Sequence, residues 1–353
     1  MATRRGFLAG LAALTLPVPG WADVGSPRFL AAGKQDERFV LHGLSGTGET
    51  TFSIDLPGRG HAACAHPTRP VAVAFARRPG TFAVALDCLT GAVIARLFPP
   101  EGRQFNGHGV FSDDGKLLFT SEVVAETSEG RIGLWRFPDF QRIGEWASGG
   151  IGPHDVKRLP EGRLVIANGG IRTDPQDRSK LNLDSMRPNL TLLSADGGIE
   201  AQAELPADLW QNSIRHLAVN AVGTVAFAMQ WEGDLSEPVP QLGLWQPLRA
   251  KLQTCPPDAA GTFRMKGYAG SIAVTDGGLI ALTSPRGGVV MIHDAEGRHL
   301  ATHARADVCG IAPDGEGFLA SDGSGALWSC TAQAITPLRR TGPQWDNHLI
   351  ALV

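Results

Sequence analysis

The sequence lacks the motifs by which several common enzyme classes are recognised. It has five cysteines in 353 residues, and no two of them form the CxxC pair that attaches haem or holds structural zinc. It contains no Gly-x-Ser-x-Gly elbow, no Gly-x-x-x-x-Gly-Lys phosphate loop and no His-Glu-x-x-His pair. Serine-nucleophile, P-loop and zincin chemistry therefore have no support in this chain.

Strong net charge and long apolar runs are also missing. The 32 basic and 35 acidic side chains give a formal charge of −3, which offers no basic surface for nucleic acid. Past the N-terminus, no stretch is long and apolar enough for a membrane helix. We therefore expect neither nucleic-acid binding nor membrane insertion.

The N-terminus reads as an export leader. A twin-arginine motif runs from Thr3 to Leu8, and a short apolar stretch follows it. Gly20 and Ala22 occupy the −3 and −1 positions of a cleavage site. We expect residues 1–22 to be a twin-arginine signal peptide, residues 23–353 to be the mature chain, and the protein to be periplasmic.

Glycine and proline are plentiful, with 44 and 24 residues, and they suit many short strands joined by tight turns. Six segments share one pattern. Each indicates a first strand, then a turn, and then an apolar second strand. Their first residues are His61, His108, His154, His216, Ser271 and Gly310. Spacings of about 40 to 50 residues are typical of four-stranded propeller blades.

The two ends of the chain together provide a seventh unit. Segments that begin at Phe29, Arg38 and Thr50 read as second, third and fourth strands with no first strand before them. The C-terminal segment His348–Val353 carries the missing first-strand pattern. The sequence therefore predicts an all-β fold, a seven-bladed β-propeller closed by its C-terminal strand, which leaves no open sheet edge at the seam.

Histidine recurs at the start of the predicted first strands. Five of the seven equivalent positions are histidine, although the whole chain has only ten: His61, His108, His154, His216 and His348. Inner strands line a propeller channel, so these imidazoles are predicted to face one another and to hold a transition-metal ion such as iron, copper or zinc. The alternative is that histidine simply lines a narrow polar channel.

Other polar residues lie near the same face. Asn106, Asp155, Arg215 and Asn347 neighbour the histidines and could orient them. A long loop runs from Gly169 to Pro188 and carries basic side chains that could reach an anion, or it is a solvated insertion. The possible ligand-binding residues are Arg172, Arg187, Arg215, Asn168 and Glu122, with Arg178 and Lys180 on the same loop. The histidines expected at the surface, away from the axis, are His42, His293, His299 and His303.

Several runs together resemble one bacterial family. They are Asn106–Ser112, Gly152–His154, Ala167–Ile171, Leu181–Pro188 and Ser213–Ala218. They are similar to the exported seven-bladed propellers of domain of unknown function 1513, often encoded beside imelysin-like, iron-linked periplasmic proteins. The resemblance covers the chain from about Phe29 onward and implies a periplasmic propeller associated with iron or another metal, with an imelysin-type protein as a possible partner.

Three functional hypotheses follow from these patterns. The first is a periplasmic metal-binding propeller that serves the acquisition of iron or another transition metal through the channel histidines. The second is a metal-dependent enzyme, either a lactonase-like hydrolase or an oxidoreductase, whose ion keeps an open coordination position. The third is a scaffold that docks partner proteins on its faces.

Overall fold

A computed structural model of the chain describes residues 18–77, 81–177, 179–247, 252–257 and 259–352. Most of the predicted signal peptide lies outside these residues, as do Arg178 and Val353. No helix in the described ranges is long and apolar enough to cross a membrane.

The described chain forms seven four-stranded antiparallel sheets, which are the blades of a propeller. Blade 1 combines the last strand of the chain with the first three. Its strands are β28 (Gln344–Ala351), β1 (Phe29–Gln35), β2 (Arg38–Leu44) and β3 (Thr50–Leu56). Blades 2 and 3 comprise β4 (Gly60–Ala65), β5 (Val71–Ala76), β6 (Ala83–Asp87), β7 (Val93–Leu97), β8 (Arg103–Phe111), β9 (Leu117–Val124), β10 (Glu129–Arg136) and β11 (Gln141–Ile151).

Blades 4 to 7 follow in chain order, each with its four strands paired consecutively. Blades 4 and 5 comprise β12 (Pro153–Arg158), β13 (Leu164–Asn168), β14 (Asn189–Leu193), β15 (Ile199–Glu204), β16 (Asn212–Val219), β17 (Val225–Trp231), β18 (Leu242–Trp245) and β19 (Gln253–Thr254). Blades 6 and 7 comprise β20 (Ser271–Val274), β21 (Ile280–Ser284), β22 (Val289–His293), β23 (His299–Ala304), β24 (Val308–Asp314), β25 (Gly317–Asp322), β26 (Ala326–Cys330) and β27 (Ile335–Arg340).

The described helices are short. An α-helix spans Ala259–Arg264, and 3-10 turns cover Trp21–Val24, Pro160–Gly162 and Ala207–Leu209. All of them lie between strands or before the first one. The fold is therefore all-β, as the repeat predicts.

The inner strand of blade 1 comes from the C-terminus. β28 pairs antiparallel with β1, and Leu30 lies opposite Ile350 in this ladder. β28 begins at Gln344, four residues before the predicted start at His348. Each of the other inner strands lies beside the inner strands of neighbouring blades around one axis.

The hydrophobic core lies between adjacent blades. The second strand of a blade is covered on both faces, so β5 is buried at every position of its sequence VAVAFA. Between blades 4 and 5, buried Val165 packs in one cluster with Phe227 and Trp245. Outer strands such as β7 have one partner strand and expose most of their side chains. The ends of the inner strands line the channel.

Two histidines expected at the surface are buried. His42 on β2 and His293 on β22 are third-strand residues, 2% and 1% exposed, because neighbouring blades cover the third strands. The ring of His42 meets the Trp345 ring edge-on at a centroid distance of 5.3 Å. On outer strand β23, His299 and His303 are half-buried. All four lie off the axis, but the expectation of surface exposure is wrong for His42 and His293.

Candidate functional site: a histidine cluster in the channel

Local irregularities in the inner strands turn the histidines toward the axis. In β4, β8, β12, β16 and β28, the pairing register with the neighbouring strand shifts beside the histidine, so the inner strand carries one or two extra residues there. Such bulges re-aim a side chain that regular pairing would hold against the neighbouring blade. Gly107 adopts a φ of 94°, and a Cβ there would lie 2.7 Å from Cδ2 of His61. Only glycine allows this approach without strain.

The structure brings the five predicted histidines together. His108 has its ring centroid 4.9 Å from His61, 4.8 Å from His154, 5.8 Å from His216 and 5.0 Å from His348. Further contacts of 4.7 to 4.8 Å connect His216 to His154 and to His348. His61 is half-buried and the other four are buried. His108 thus has ring contacts to all four of the others.

Two groups of three side chains could each hold a metal ion. One is His61, His108 and His154, and the other is His108, His216 and His348. Within each group, the ligand nitrogens lie within 4.8 Å of one another. The Nε2 atoms of His61 and His108 are 3.2 Å apart, close to the roughly 3.3 Å between two donors on a tetrahedral ion with bonds of about 2 Å. His108 belongs to both groups.

The buried carboxylate of Asp155 orients His108. Its Oδ1 lies 3.3 Å from Nδ1 of His108, and Oδ2 accepts a hydrogen bond of 3.0 Å from the Leu217 amide. With Nδ1 donating to the carboxylate, the Nε2 lone pair of His108 faces the channel, which is the arrangement of a metal-ligating histidine. Lys157 Nζ lies 3.4 Å from Oδ1 of Asp155. Asp155 therefore acts as the sequence suggested, as a partner behind the histidines.

Burial favours the neutral form of four of the five imidazoles, those of His61, His154, His216 and His348. Desolvation, followed by repulsion from neighbouring rings, holds the pKa values of His61, His154 and His348 well below the ordinary range. The same causes lower the pKa of His216 to about 3. Burial opposes ionisation of Asp155, but nearby Lys157 and His108 lower its pKa overall. Neutral imidazole is the form that binds metal.

Several ring nitrogens have no protein partner. Among the described residues, Nδ1 of His61, His154 and His216 and Nε2 of His348 are buried without a hydrogen bond. A buried polar atom left unpaired costs about 1–3 kcal/mol. Each imidazole offers one nitrogen to an ion, so a bound ion could satisfy one nitrogen of a ring, and the residues present fit a metal ion. Nδ1 of His61, whose Nε2 faces His108, would not be satisfied by that ion.

Two of the seven blades supply no histidine to the channel. Ser271 is buried at the sixth position and Gly310 at the seventh. A Cβ at Gly310 would lie 2.7 Å from the backbone nitrogen of Leu349 and 2.9 Å from the carbonyl carbon of His348. The close approach of β28 therefore excludes any side chain at position 310. At blade 7 no donor is possible because the strand that supplies His348 occupies this space.

A recess of about 190 Å³ opens above the histidines. His61, His154 and His216 form part of its lining, and Trp231 and Tyr268 add aromatic surface. The loop at 169–188 folds over one side, and Ile171, Thr173 and Lys180 line the recess from it. The remaining lining residues are Ala76, Arg77, Asn106, Gly107, Arg215, Gln230, Glu232, Arg286 and Asn347.

The predicted ligand-binding residues divide into three sets, which line the recess, lie exposed, or are buried inside the blades. Arg215 lines the recess, whereas exposed Arg172 and Arg187 do not. Glu122 is fully buried in blade 3, where its Oε1 accepts hydrogen bonds of 2.7 Å from Arg142 and 2.6 Å from Thr120. Burial raises the pKa of Glu122, an effect that the bonds from Arg142 and Thr120 partly offset.

Asn168, like Glu122, is a buried structural residue inside the blades. It is the last residue of β13 and is fully buried. Its amide group donates to the Ser148 carbonyl at 2.9 Å and to Asn189 Oδ1 at 2.8 Å. Ser148 Oγ in turn donates to Asn168 Oδ1 at 2.7 Å. These bonds join blades 3 and 4. They use the polar groups of the Asn168 side chain inside the protein.

Two recess residues were missed in the sequence. Arg77 directly follows second strand β5, and Arg286 lies two residues after second strand β21. One rule of the propeller fold is that the loops after second strands end on the face of the histidines. Applying it to every blade would have found both arginines.

The chain belongs to the family described as protein of unknown function (DUF1513), whose pattern matches residues 54–352. This confirms the family predicted from the channel and loop motifs. No curated protein matches the chain.

Solved structures share the fold at low sequence identity. Hydrazine synthase of Kuenenia stuttgartiensis is 12% identical, with a TM-score of 0.61 over 94% of this chain and 98% of that chain. A structure of U3-55K is 11% identical, with a TM-score of 0.60 over 80% and 82%. A chain of the mitotic checkpoint complex is 10% identical, with a TM-score of 0.54 over 78% and 75%. At such identities these similarities show the propeller architecture alone.

Proposed function

We propose that this protein is a transition-metal-binding propeller whose channel histidines hold the ion. The observation that carries the proposal is the convergence of five imidazoles from five blades, with two overlapping groups of three donors. Imidazole suits zinc, copper, iron and nickel, and softer or harder donors are not part of either group. Binding is the function that this donor set supports.

The overlap of the two groups gives a discriminating experiment. His61→Ala removes one donor but leaves His108, His216 and His348 in place, whereas His108→Ala breaks both groups. We expect His108→Ala to lower metal affinity by more than about 100-fold, exceeding the 10–100-fold loss typical of an outer-shell partner. His61→Ala should cost clearly less.

The measurement uses untagged, full-length mature protein, analysed for metal after purification and then titrated with Zn²⁺, Cu²⁺ and anaerobic Fe²⁺ against a competing chelator. His303→Ala is the matched control, since His303 is a half-buried histidine on outer strand β23. Absence of stoichiometric metal binding, or equal affinities for His108→Ala and the wild type, would refute the proposal.

The cellular setting forms part of the same proposal. The leader predicted over residues 1–22 supports export to the periplasm by the twin-arginine route. There the protein would serve the acquisition of iron or another transition metal, with an imelysin-type protein as partner. Fractionation of cells that express the full chain, with detection of a mature form cleaved before residue 23, tests the location.

A further inference from the structure

The recess above the histidines concentrates positive charge in a chain that is acidic overall. Its lining contains four basic side chains and one acidic side chain, whereas the whole chain has a formal charge of −3. The four are Arg77, Lys180, Arg215 and Arg286, and the acidic one is Glu232. Enclosed clefts lined by one sign of charge attract counter-ions.

Some of this charge is compensated within the protein. Lys180 forms an ion pair with Glu232, and Arg77 Nη1 lies 2.9 Å from Oδ1 of Asp346. Arg286 differs, because its guanidinium stacks over the Tyr268 ring at 4.3 Å from the centroid. Stacking uses the face of a guanidinium and leaves its N–H edges in the plane, where they suit an oxyanion.

The basic residues reach the recess from different blades. Arg77 follows β5 in blade 2, Arg215 lies on β16 in blade 5, and Arg286 follows β21 in blade 6. A ligand with more than one anionic group can engage several of them at once. The space of about 190 Å³ is many times the roughly 10–15 Å³ that a single water requires, so a small organic anion fits.

We propose that this recess binds a small polyanion that carries several carboxylate or phosphate groups. One end of the ligand engages Arg286 and Arg215. The other end reaches the floor formed by His61, His154 and His216, where it would complete the coordination of the ion. This contact with the ion rests on the proposed function, whereas binding of the anion in the recess does not.

The test is calorimetric titration of the metal-free mature protein with tricarballylate and, separately, with pyrophosphate. The uncharged triamide of tricarballylate serves as the reference ligand. We expect one of the anions to bind, the triamide not to bind, and Arg286→Gln to weaken the anion about tenfold, as for loss of a charge-assisted hydrogen bond. Binding of only one anion identifies its acidic group as carboxylate or phosphate.

Arg69→Gln provides the control. Arg69 also stacks on an aromatic ring, that of Phe137, at 5.7 Å, but it lies in the turn between β4 and β5 at the opposite end of the blade. Anion affinity should be unchanged in this variant. Equal losses in Arg69→Gln and Arg286→Gln would overturn the proposal.

A parallel Zn²⁺ titration separates the two proposals. If the protein binds Zn²⁺ and neither anion, the polyanion site is refuted while the histidine site stands. If an anion binds in a manner that depends on Arg286 and Zn²⁺ does not bind, the polyanion site is supported and the metal proposal fails.

Discussion

At the scale of single residues, His108 determines what the cluster can do. It is the only histidine present in both groups of donors found among the described residues, and its orientation depends on a buried carboxylate. The geometry of the site therefore depends on Asp155 as much as on the imidazole rings. The carboxylate fixes which nitrogen of His108 faces its neighbours.

Asp155→Asn tests this dependence. The amide oxygen can still accept the hydrogen bond from Leu217, so the fold should persist, but the negative charge behind His108 is lost. We expect metal affinity to fall about 10–100-fold, as for other partners behind a ligating histidine. Competition titration with Zn²⁺ measures the loss. Asp113→Asn, which removes an exposed carboxylate paired with Arg158, is the control, and equal affinities in the two variants would contradict the role of Asp155.

A second prediction at this scale concerns pH and a histidine outside the channel. Burial, reinforced by His299, lowers the pKa of His293 to about 3. In the unfolded chain His293 titrates near 6.5, so the unfolded state takes up the proton first as the pH falls. His293 therefore makes the folded state progressively less stable from about pH 6.5 down to about pH 3.

His293→Leu should remove this contribution, since leucine does not titrate and suits the neighbouring Met265, Leu282 and Met291. Between pH 6 and 4, we expect the stability of the variant to fall less steeply than that of the wild type, by about 1.4 kcal/mol per pH unit. Urea unfolding at several pH values measures both slopes. The channel histidines contribute equally to the two proteins, so parallel curves would show that His293 has no such effect.

The site residues show how far the sequence could predict this centre. The five histidines recur at one register of a repeat, so their convergence follows from the fold alone. Glu122 was predicted to bind a ligand near the histidine face, but it lies within β9, which continues to Val124 and buries it. The position of Arg286 after second strand β21 could have been used to predict its place at the recess, whereas its stacking on Tyr268 is a tertiary contact with no periodic signature.

At the scale of elements, the approach of β24 to β28 explains why blade 7 supplies no histidine to the channel. Gly310 lies against the backbone of His348 and Leu349, so the position that would supply a sixth donor has no room for one. Two inner strands thus share the space that one side chain would need. The missing donor at blade 7 is a property of this strand pair.

Gly310→Ala should therefore destabilise the protein. The added methyl group would meet backbone atoms at 2.7 and 2.9 Å, which cannot move without displacing β28. We expect a loss of about 1–3 kcal/mol in the free energy of unfolding, as for other overpacked sites. Gly144→Ala is the control, because a Cβ there has nothing within 4 Å. Denaturant unfolding compares the two, and equal stabilities would show that β24 has room to adjust.

At the scale of the whole molecule, blade 1 joins residues from both ends of the chain. The repeat predicted which segment pairs with Phe29–Gln35, because the C-terminal segment alone had the unmatched first-strand pattern. It did not predict that β28 starts at Gln344, since this stretch includes a bulge with no sequence signal. The contribution of this pairing to the stability of the propeller can be measured.

Deletion of residues 348–353 should unfold or aggregate the protein. The deletion removes the pairs that Leu349, Ile350 and Ala351 make with β1, and it exposes a strand edge in an otherwise cyclic arrangement. It also removes the buried side chain of Leu349 from the cluster that contains Phe29 and Trp345. Thermal unfolding and size-exclusion chromatography measure the outcome.

A matched substitution separates loss of the strand from loss of its histidine. His348→Ala keeps the backbone pairing of β28, so it should remain folded and monodisperse while losing one donor of the group His108, His216 and His348. If the truncated chain melts like the wild type, the stability of the propeller does not depend on its C-terminal strand. If His348→Ala unfolds as readily as the truncation, the side chain rather than the strand holds the two ends together.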